Sequence, residues 1–501
     1  MSPETVERVV ASLVLGTLAW PLARACASAD FRRAFPVLTA ALASVLAVYA
    51  VGLALAVVLA PRWVLGLLVA IGLVLLAAVR WHGAVARGAA RRWPPGSLAP
   101  LQLGPWFDRT FYLNRRRQLG TPFKTAQFVR PMACFVGLAE GLDFMKANEP
   151  ALGSPAMAFG RFIRGGFLRH MPPELHTVTK SLFAAAFTRD VYEPLLPFMR
   201  EALNAELTRM TLAPAGVPPR RHVQRALFSI WMRLFFDVAP ESPARERLKT
   251  LYRTLDIRNP THASDRAVHA AVDEIMAIAR ERQRSAPQDG PPRSCLAALE
   301  RARPGASDDP TLLGNLVYMG HTTWADVSGL LVWVFRMLTE HAAWAERLRA
   351  VGSSTRDEDG EPPLATRIVM ETLRLEQSEH LYRIALRDLP RGDTLIPRGW
   401  LVRLCVRESH QDPRVFADPA TFDPDRFRGR SYSLREYSPF GGGLRHACVG
   451  EGLTTRVAAT FAETLTTGFR WSTVADGPYE YSAWRHWRPG SAWRVKVTAL
   501  A

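Results

Sequence analysis

The chain has 501 residues, of which 48% are hydrophobic, and its formal net charge at pH 7 is +17. This much apolar material buries one large core or two to three ordinary ones, so the composition excludes general disorder. The five cysteines are scattered without a CxxC pair, which excludes a disulfide scaffold and a structural zinc site and favours a reducing compartment; they are Cys26, Cys134, Cys295, Cys405 and Cys448.

The positive charge is spread along the whole chain, with 63 Lys and Arg against 46 Asp and Glu. It reflects either an Arg-rich sequence with a basic, membrane-facing surface, or attraction to an acidic protein partner or to anionic lipid. No basic run is interleaved with aromatic residues, and no zinc-finger or RNA-binding signature is present. We therefore expect no nucleic-acid partner.

Two uncharged segments near the N-terminus, residues 34–60 and 63–79, are long enough to span a membrane. As helices they would measure about 40 and about 25 Å, against a hydrocarbon core of about 30 Å. Several arginines flank the pair on both outer sides, whereas the joint carries only Arg62. The positive-inside bias therefore predicts an integral membrane protein with a helical hairpin, whose ends and main domain lie on the cytoplasmic side.

A weaker apolar segment, residues 9–23, precedes the hairpin. It is a third span, an interfacial helix or the core of a signal peptide, because the residues Ala27-Ser28-Ala29 resemble a cleavage site. Two glutamates in the leading sequence MSPETVER argue against cleavage. The predicted organisation is a membrane-anchoring region at 1–93, a linker at 94–103 that contains Pro and Gly, and a large domain at 104–501.

A long buried helix is predicted from residue 310 onwards. Asp309 is a suitable N-cap, Pro310 suits the first helical position, and the run that follows is too apolar for a surface helix. Residues 320–323, GHTT, form a polar break within it. Either the threonine side chains bond back to the preceding turn and bend the helix, or Gly320 leaves a gap for a ligand beside two hydroxyl groups.

A second helix, ATRIVMETLRLEQ, carries Glu371 and Arg374 three residues apart, and therefore on one face. At a surface such a pair contributes little to stability. Its neighbours are apolar, however, and a buried ion pair would require further polar partners. Arg426, in the sequence FDPDRF, is a candidate partner.

The third feature is Cys448, in the sequence PFGGGLRHACVGEG. An amphipathic helix is predicted directly after it, because apolar residues recur every fourth position from Leu453 to Leu465. A cysteine at a helix N-terminus has its thiolate favoured by the helix dipole and by free backbone N–H groups. Such a thiolate is a nucleophile or a metal ligand, whereas a buried, inert thiol is the commonest role of a single cysteine.

Together these segments resemble the cytochrome P450 family. The sequence FGGGLRHACVG is similar to the family's cysteine loop, and Glu371 and Arg374 match its ExxR helix. The stretches LYRIALRD, LIPRG and HQDPRVFADPATFDPDRF follow in the order of the family's strand, turn and meander. Residues 320–323 fall where its distal helix carries Gly-x-acid-Thr. The resemblance covers about Leu103 to Ala501 and implies a mainly α fold with small β-sheets, here preceded by two, or with residues 9–23 three, transmembrane helices.

The resemblance also implies a haem b cofactor. Cys448 would be the axial thiolate ligand of the iron, and Phe440 would shield its sulfur. Glu371, Arg374 and Arg426 would form a buried triad that pins the cysteine loop. The further residues implied to approach the haem or to bind its propionates are Gly320, Gly443, Gly450, His446, Arg383, His176 and Lys180.

The chain departs from the family pattern in two places. Phe440 lies eight residues before Cys448 where the family has seven, so Leu444 occupies the place of a glycine. Thr322 replaces the acid that normally precedes the catalytic threonine, here Thr323. Trp324 follows in place of a small or hydroxyl residue.

The replaced acid leaves the type of reaction open. Thr323 is implied to hold the water that delivers protons during dioxygen activation, and Asp326, about one helical turn further on, or ordered water would substitute for the acid. Alternatively the enzyme takes oxygen from peroxide, or acts as an isomerase or dehydratase on an oxygenated lipid. A non-catalytic haem-binding protein is the remaining possibility.

We therefore expect a membrane-tethered haem-thiolate monooxygenase that hydroxylates or epoxidises a hydrophobic small molecule, with the lipid bilayer as its setting. The resemblance implies that electrons come from NAD(P)H through a ferredoxin or a flavoprotein reductase. Such a partner would dock on the cysteine side, where Arg445 and Arg456 suit an acidic surface.

Overall fold

The structure is a computed structural model, which describes residues 93–98, 104, 108–127, 130–155, 158–255, 264–287, 289–352, 361–377, 380–481 and 487–500. The predicted membrane hairpin at 34–60 and 63–79 and the candidate segment at 9–23 lie outside these residues. Within the described ranges, no helix is both long enough and apolar enough to cross a bilayer.

Helices dominate the described chain, which confirms the predicted mainly α fold. In chain order they are α1 (Phe111–Leu119), α2 (Leu138–Ala147), α3 (Pro173–Ala186), α4 (Arg189–Tyr192), α5 (Leu196–Thr211), α6 (Pro219–Phe236), α7 (Pro243–Thr254), α8 (Asp265–Ser285), α9 (Cys295–Ala302), α10 (Pro310–Glu340), α11 (Ala342–Val351), α12 (Leu364–Thr372), α13 (Val406–Ser409) and α14 (Glu451–Gly468).

The strands are short and form small sheets, also as predicted. They are β1 (Phe123–Gln127), β2 (Arg130–Phe135), β3 (Leu152–Gly153), β4 (His380–Ala385), β5 (Leu389–Arg391), β6 (Thr394–Ile396), β7 (Leu401–Cys405), β8 (Phe469–Ala475), β9 (Glu480–Tyr481), β10 (Trp487–Arg488) and β11 (Arg494–Ala499).

The described residues form two compact units. The first consists of 93–136, 384–403 and 480–481, and the second of 137–383, 404–479 and 487–500. In the first unit β1 pairs antiparallel with β2, and the sheet continues to β7 and the end of β4. In the second unit β8 pairs antiparallel with β11. The described candidate site residues all belong to the second unit.

Helix α10 runs through the core of the second unit and begins where the sequence predicts. The Asp309 carboxylate accepts hydrogen bonds from the backbone N–H groups of Thr311, at 2.8 Å, and Leu312, at 3.2 Å, and Pro310 is the first helical residue. The helix packs against α6 and α14. Its core-facing residues, such as Trp333 and Phe335, are completely buried, so α10 provides a rigid base for the polar residues at 320–323.

The predicted helix around Glu371 and Arg374 is also present, although in two parts. α12 ends at Thr372, and residues Leu373–Gln377 continue it as a single wide π turn. Such turns are rare and often occur at functional sites. This one carries Arg374.

Candidate active site

The cysteine loop, residues 438–450, exposes Cys448 three residues before the start of α14. By contrast, Cys134, Cys295 and Cys405 are buried. The backbone N–H of Gly450 donates to the Cys448 sulfur, with nitrogen and sulfur 3.3 Å apart. A hydrogen bond to sulfur stabilises the thiolate form, so the loop favours a thiolate available for coordination.

The additional residue in the loop is accommodated within a closed turn. The backbone N–H of Cys448 donates to the Phe440 carbonyl oxygen at 3.1 Å, so the base of the loop is closed. Further along the loop, the Ala447 N–H donates to the Leu444 carbonyl oxygen at 3.0 Å, and the Leu444 side chain is buried. Gly441 has φ of 72°, and a Cβ there would lie 2.9 Å from the Leu381 side chain, so this turn requires glycine.

A pair of histidines lies beside the loop. The His176 and His446 rings meet edge to face, with centroids 4.3 Å apart. Each ring has a buried Nδ1 atom without a hydrogen-bond partner among the described residues. Burial and the charge of Lys180 lower the pKa of His176 to about 4, and burial and the charge of Arg383 lower the pKa of His446 to about 3. Two neutral imidazoles are thus held in a positively charged environment.

The cations around these histidines come from three parts of the chain. Lys180 Nζ on α3 donates to the Arg445 carbonyl oxygen at 2.7 Å, and Arg383 donates to the Tyr382 carbonyl oxygen at 2.7 Å. Arg445 pairs with the Glu149 carboxylate at 3.3 Å. We call His176, Lys180, Arg383, Arg445 and His446 the basic cluster. Because Lys180, Arg383 and Arg445 bring three cationic side chains to this place, the cluster suits an anionic group.

The structure brings the residues of the predicted triad together. Arg374 binds the Glu371 carboxylate with both its Nε, at 2.7 Å, and an Nη, at 2.8 Å, and both side chains are completely buried. Arg426 Nε binds the same carboxylate at 2.9 Å. Arg374 also donates to the carbonyl oxygens of His410, at 2.9 Å, and Pro419, at 2.7 Å. The buried charges are therefore extensively hydrogen-bonded, as stability requires.

His410 links this triad to the cysteine loop. Its carbonyl oxygen accepts from Arg374, while its ring Nε2 accepts from the Ser438 N–H at 3.0 Å. The Tyr437 ring stacks on His410 with centroids 5.1 Å apart, and its hydroxyl donates to the Met370 carbonyl oxygen at 2.9 Å. The side chains of His410 and Tyr437 thus connect the start of the loop to the triad and to α12. Neither residue was identified as a site residue from the sequence.

On α10, the polar break predicted at 320–323 is not a break in the backbone, since the helix is continuous from Pro310 to Glu340. The Thr323 hydroxyl donates to the Met319 carbonyl oxygen at 2.7 Å, which is the back-bonded arrangement. Thr322, Thr323 and Asp326 are half-buried. Asp326 follows these threonines by four and three residues, so it lies on the same side of the helix.

The contacts of Gly320 and Trp324 are packing contacts. A Cβ at Gly320 would lie 2.9 Å from the Tyr252 hydroxyl on α7, so the glycine admits that ring. Its assignment as a haem contact stays a prediction. Trp324 donates from Nε1 to the Gln224 carbonyl oxygen at 2.8 Å, and its ring meets the Phe228 ring edge to face; both partners are on α6. The unusual tryptophan is therefore directed into the helix packing.

A family model described as cytochrome P450 matches residues 331–482. Among curated proteins, abscisic acid 8'-hydroxylase 2 of Arabidopsis thaliana is 22% identical over 77% of this chain and 86% of its own length. Cytochrome P450 26B1 of Danio rerio is 25% identical over 78% of this chain and 84% of its own length.

Solved structures show the same fold. The cyanobacterial CYP120A1 with bound retinoic acid superimposes with a TM-score of 0.66 at 22% identity, covering 82% of this chain and all of that one. A zebrafish cytochrome P450 with abiraterone has a TM-score of 0.62 at 19% identity, covering 78% of this chain and 99% of that one. The likeness extends over nearly the whole length of both structures.

Proposed function

Because the chain is a cytochrome P450, and therefore an oxidoreductase that incorporates oxygen, we propose that it hydroxylates or epoxidises a hydrophobic small molecule with O2 as oxidant. The observation that carries the proposal is the exposed Cys448 thiol, which accepts the Gly450 N–H and lies beside the basic cluster. The test is the reduced carbonyl spectrum of the enzyme, followed by product formation that depends on an electron donor.

The residues present fit a haem that carries propionate groups, and we propose haem b. The family implies haem, and the two histidine Nδ1 atoms of the basic cluster are buried without partners among the described residues, as donors for propionate oxygens would be. His176, Lys180, Arg383 and His446 would hold the propionates, and Cys448 would hold the iron. When bound, haem with a thiolate ligand supplies oxygen activation and cleavage of the O–O bond.

The remaining residues around the site bind, orient and shield. Phe440 is half-buried against the core and would cover one side of the sulfur. Gly443 and Gly450 would allow the cofactor close to the backbone. The triad of Glu371, Arg374 and Arg426 fixes the meander from which the cysteine loop continues.

We assign proton delivery to the face of α10 that carries Thr323 and Asp326. For the Thr323 hydroxyl to donate to a water, it must release its bond to the Met319 carbonyl oxygen by rotating about χ1. Asp326 supplies the ionisable group that Thr322 lacks. A general acid acts directly or through one water, so proximity along one helical face is sufficient.

The family implies electrons from NAD(P)H through a redox partner. We propose a ferredoxin or flavoprotein reductase on the cysteine side, supported by the net charge of +17. The two arginines that the sequence suggested are weaker docking residues than expected. The side chains of Arg445 and Arg456 are only 19% and 20% exposed, and they pair with Glu149 and Glu193. Arg189 on α4 also pairs with Glu193, but its side chain is 77% exposed, so it is better placed to meet an acidic partner.

We further propose that segments 34–60 and 63–79 tether the enzyme to a membrane, with the catalytic domain on the cytoplasmic side. Support comes from their lack of charge and from the arginines outside the pair. A tethered enzyme draws apolar substrate from the bilayer. One similar protein is an abscisic acid hydroxylase and another binds retinoic acid, so these two compounds are the first substrates to screen.

Thr322 favours a second candidate, a peroxygenase or an isomerase or dehydratase, since these reactions do not need the acid. The monooxygenase and the second candidate are distinguished by measuring turnover with an electron donor and O2 and, separately, with peroxide alone. Turnover with peroxide or with an oxygenated lipid, and none with the donor, would establish the second. An enzyme that binds carbon monoxide when reduced but shows no spectral response to any lipid would be a haem-binding protein without catalysis.

A further inference from the structure

The loop that joins α5 to α6, residues 212–218, places apolar side chains on the surface of the second unit. Leu212 is 78% exposed, and Pro214 and Ala215 beside it are also exposed. Val474, which is 51% exposed on β8, lies against the same loop, because a Cβ at Gly216 would be 3.0 Å from its side chain. We call Leu212, Pro214, Ala215 and Val474 the apolar tip. Exposed apolar groups that lie together are typical of an interaction surface.

The loop is held in one shape by its own backbone hydrogen bonds. The N–H groups of Ala213 and Gly216 donate to carbonyl oxygens three residues earlier, at 3.3 and 3.0 Å. Val217 exchanges two backbone bonds with Val495 on β11, at 2.9 and 3.0 Å. The loop also contains two prolines, which have no N–H group. Backbone groups that are already bonded leave water at little cost, so this loop suits an apolar medium.

Basic side chains surround the apolar tip. Arg494 on β11 donates from an Nη atom to the Gly216 carbonyl oxygen at 2.6 Å. Lys496, two residues further along and therefore on the same side of the strand, is exposed. On α5, Arg209 precedes Leu212 by three residues, and its side chain is 60% exposed. Cations from two different elements thus lie next to one apolar loop.

Two further arginines lie on α6. Arg225 and Arg209 bind the same buried Glu206 carboxylate, so the beginning of α6 lies next to the end of α5. Arg221 is one turn before Arg225 and is exposed. We call Arg209, Arg221, Arg225, Arg494 and Lys496 the basic rim. The rim combines five cations with the one carboxylate that Arg209 and Arg225 share, so it suits an anionic surface.

We propose that the apolar tip and the basic rim bind the surface of an anionic lipid bilayer: the tip enters the interface, and the rim contacts the head groups. Apolar groups flanked by Lys and Arg are typical of such contacts. Asp476, two residues after Val474, is paired with Arg336 at 2.8 Å. A protein partner is less well suited, because the tip has no aromatic side chain of the kind that dominates protein interfaces. The contact is separate from the proposed membrane hairpin and does not depend on the haem-thiolate function.

The experiment measures hydrogen exchange at residues 212–217 by mass spectrometry in the full-length, haem-loaded enzyme. The enzyme is assembled into nanodiscs of phosphatidylcholine alone or of an equimolar mixture of phosphatidylcholine and phosphatidylserine. Leu212→Ser removes the apolar side chain of the tip. Arg221→Glu combined with Lys496→Glu reverses two exposed cations of the rim.

Two control variants are matched to these changes. Val351→Ser removes an apolar side chain that is 46% exposed at the end of α11. Arg161→Glu combined with Arg284→Glu reverses two cations whose side chains are 54% and 69% exposed and which lie outside the rim. A further sample contains soluble polyglutamate in place of lipid, as a mimic of an acidic protein.

We expect exchange at residues 212–217 to be at least about fivefold slower in discs with phosphatidylserine than in neutral discs, since one cation near an anionic surface strengthens attachment by about this factor. The tip and rim variants should remove the difference, and the control variants should retain it. Equal exchange in the two kinds of disc, or a difference that the controls also lose, would overturn the proposal. Equal slowing by polyglutamate would assign the surface to an acidic protein instead. An enzyme that elutes apart from neutral discs would reject the hairpin, whereas discs with phosphatidylserine would still test the tip and rim.

Discussion

Cys448 and Phe440, eight residues apart, are joined through their backbones, with the cysteine N–H donating to the phenylalanine carbonyl oxygen at 3.1 Å. The ring and the sulfur are therefore held at the two sides of one closed turn, although the loop contains one more residue than the family pattern. The hydrogen bond between Cys448 and Phe440 fixes the position of the thiolate. The added residue lies between these two residues and leaves this bond intact.

Replacing the thiolate tests its assignment directly. We expect Cys448→Ser to lose the thiolate-type band of the reduced carbonyl spectrum. Activity should fall by more than the roughly 10- to 100-fold that loss of an outer partner of a metal ligand causes. Cys295→Ala is the matched control, because Cys295 is completely buried on α9 and distant in sequence from the loop. Retention of the band in Cys448→Ser would show that another residue binds the iron.

Arg374 should be the most sensitive arginine of the described chain. Arg374→Ala leaves the Glu371 carboxylate buried without its main partner, which typically costs about 3–5 kcal/mol. We expect loss of haem content and a markedly lower urea midpoint, with Arg374→Lys intermediate because one ammonium cannot bind both carboxylate oxygens. Arg161→Ala breaks an ion pair with Asp265 in which both side chains are more than half exposed, and should change the midpoint little. Equal effects at positions 161 and 374 would contradict the structural role of the triad.

His410 should make stability depend on pH. Burial and the Arg374 charge lower the pKa of His410 to about 3, so the folded protein excludes a proton that the unfolded chain binds below about 6.5. The unfolded state then binds more protons, and stability falls as pH decreases from about 6.5 towards 3. One proton corresponds to about 1.4 kcal/mol per pH unit.

His410→Gln keeps an acceptor for the Ser438 N–H without a titrating ring. Urea unfolding at a series of pH values should therefore show that the unfolding free energy of this variant falls less steeply as pH decreases. The difference in slope should correspond to at most one proton. Parallel profiles for the two proteins would mean that His410 takes up its proton in the folded state.

Substitutions of Thr323 and Asp326, on the face of α10 assigned to proton delivery, should change the share of electrons that ends in product rather than in released peroxide. We expect Thr323→Ala and Asp326→Asn each to lower product formed per electron donor consumed, and to raise released peroxide, on the order of tenfold, since positioned proton transfer contributes about 10²- to 10⁴-fold. Thr322→Asp restores the acid of the family pattern and should reduce the effect of Asp326→Asn. An Asp326→Asn enzyme with unchanged product and peroxide would leave water as the proton source.

The features that were predictable from sequence are local. The Asp309 cap, the i,i+3 spacing of Glu371 and Arg374, and the apolar period of α14 each lie within a few residues of chain, where helical geometry fixes the relationship. The family pattern then supplied Arg426, which lies 55 residues from Glu371.

Contacts between distant elements could not be predicted in this way. The family resemblance assigned His176 and His446 to one cofactor, but not the direct contact between their rings. The bond from Leu168 to Asn315 across 147 residues likewise depends on how helices pack, which no spacing encodes. The direction of Trp324 is a similar case. Its bond to Gln224 is determined by the rotation of α10 against α6. The sequence therefore places Trp324 next to the predicted catalytic threonine, whereas helix packing directs its side chain towards α6.

The triad also sets an order of assembly during synthesis. Arg374 is translated before the carbonyl groups of His410, Pro419 and Thr421 that it binds, and before Arg426, its partner on Glu371. Because chains emerge from the N-terminus and domains fold as units, this guanidinium has no native partners in the downstream segment until that segment has left the ribosome. The thiolate follows later still, so the cofactor pocket is among the last parts of the protein to mature, and truncation between Arg374 and Cys448 should abolish haem uptake.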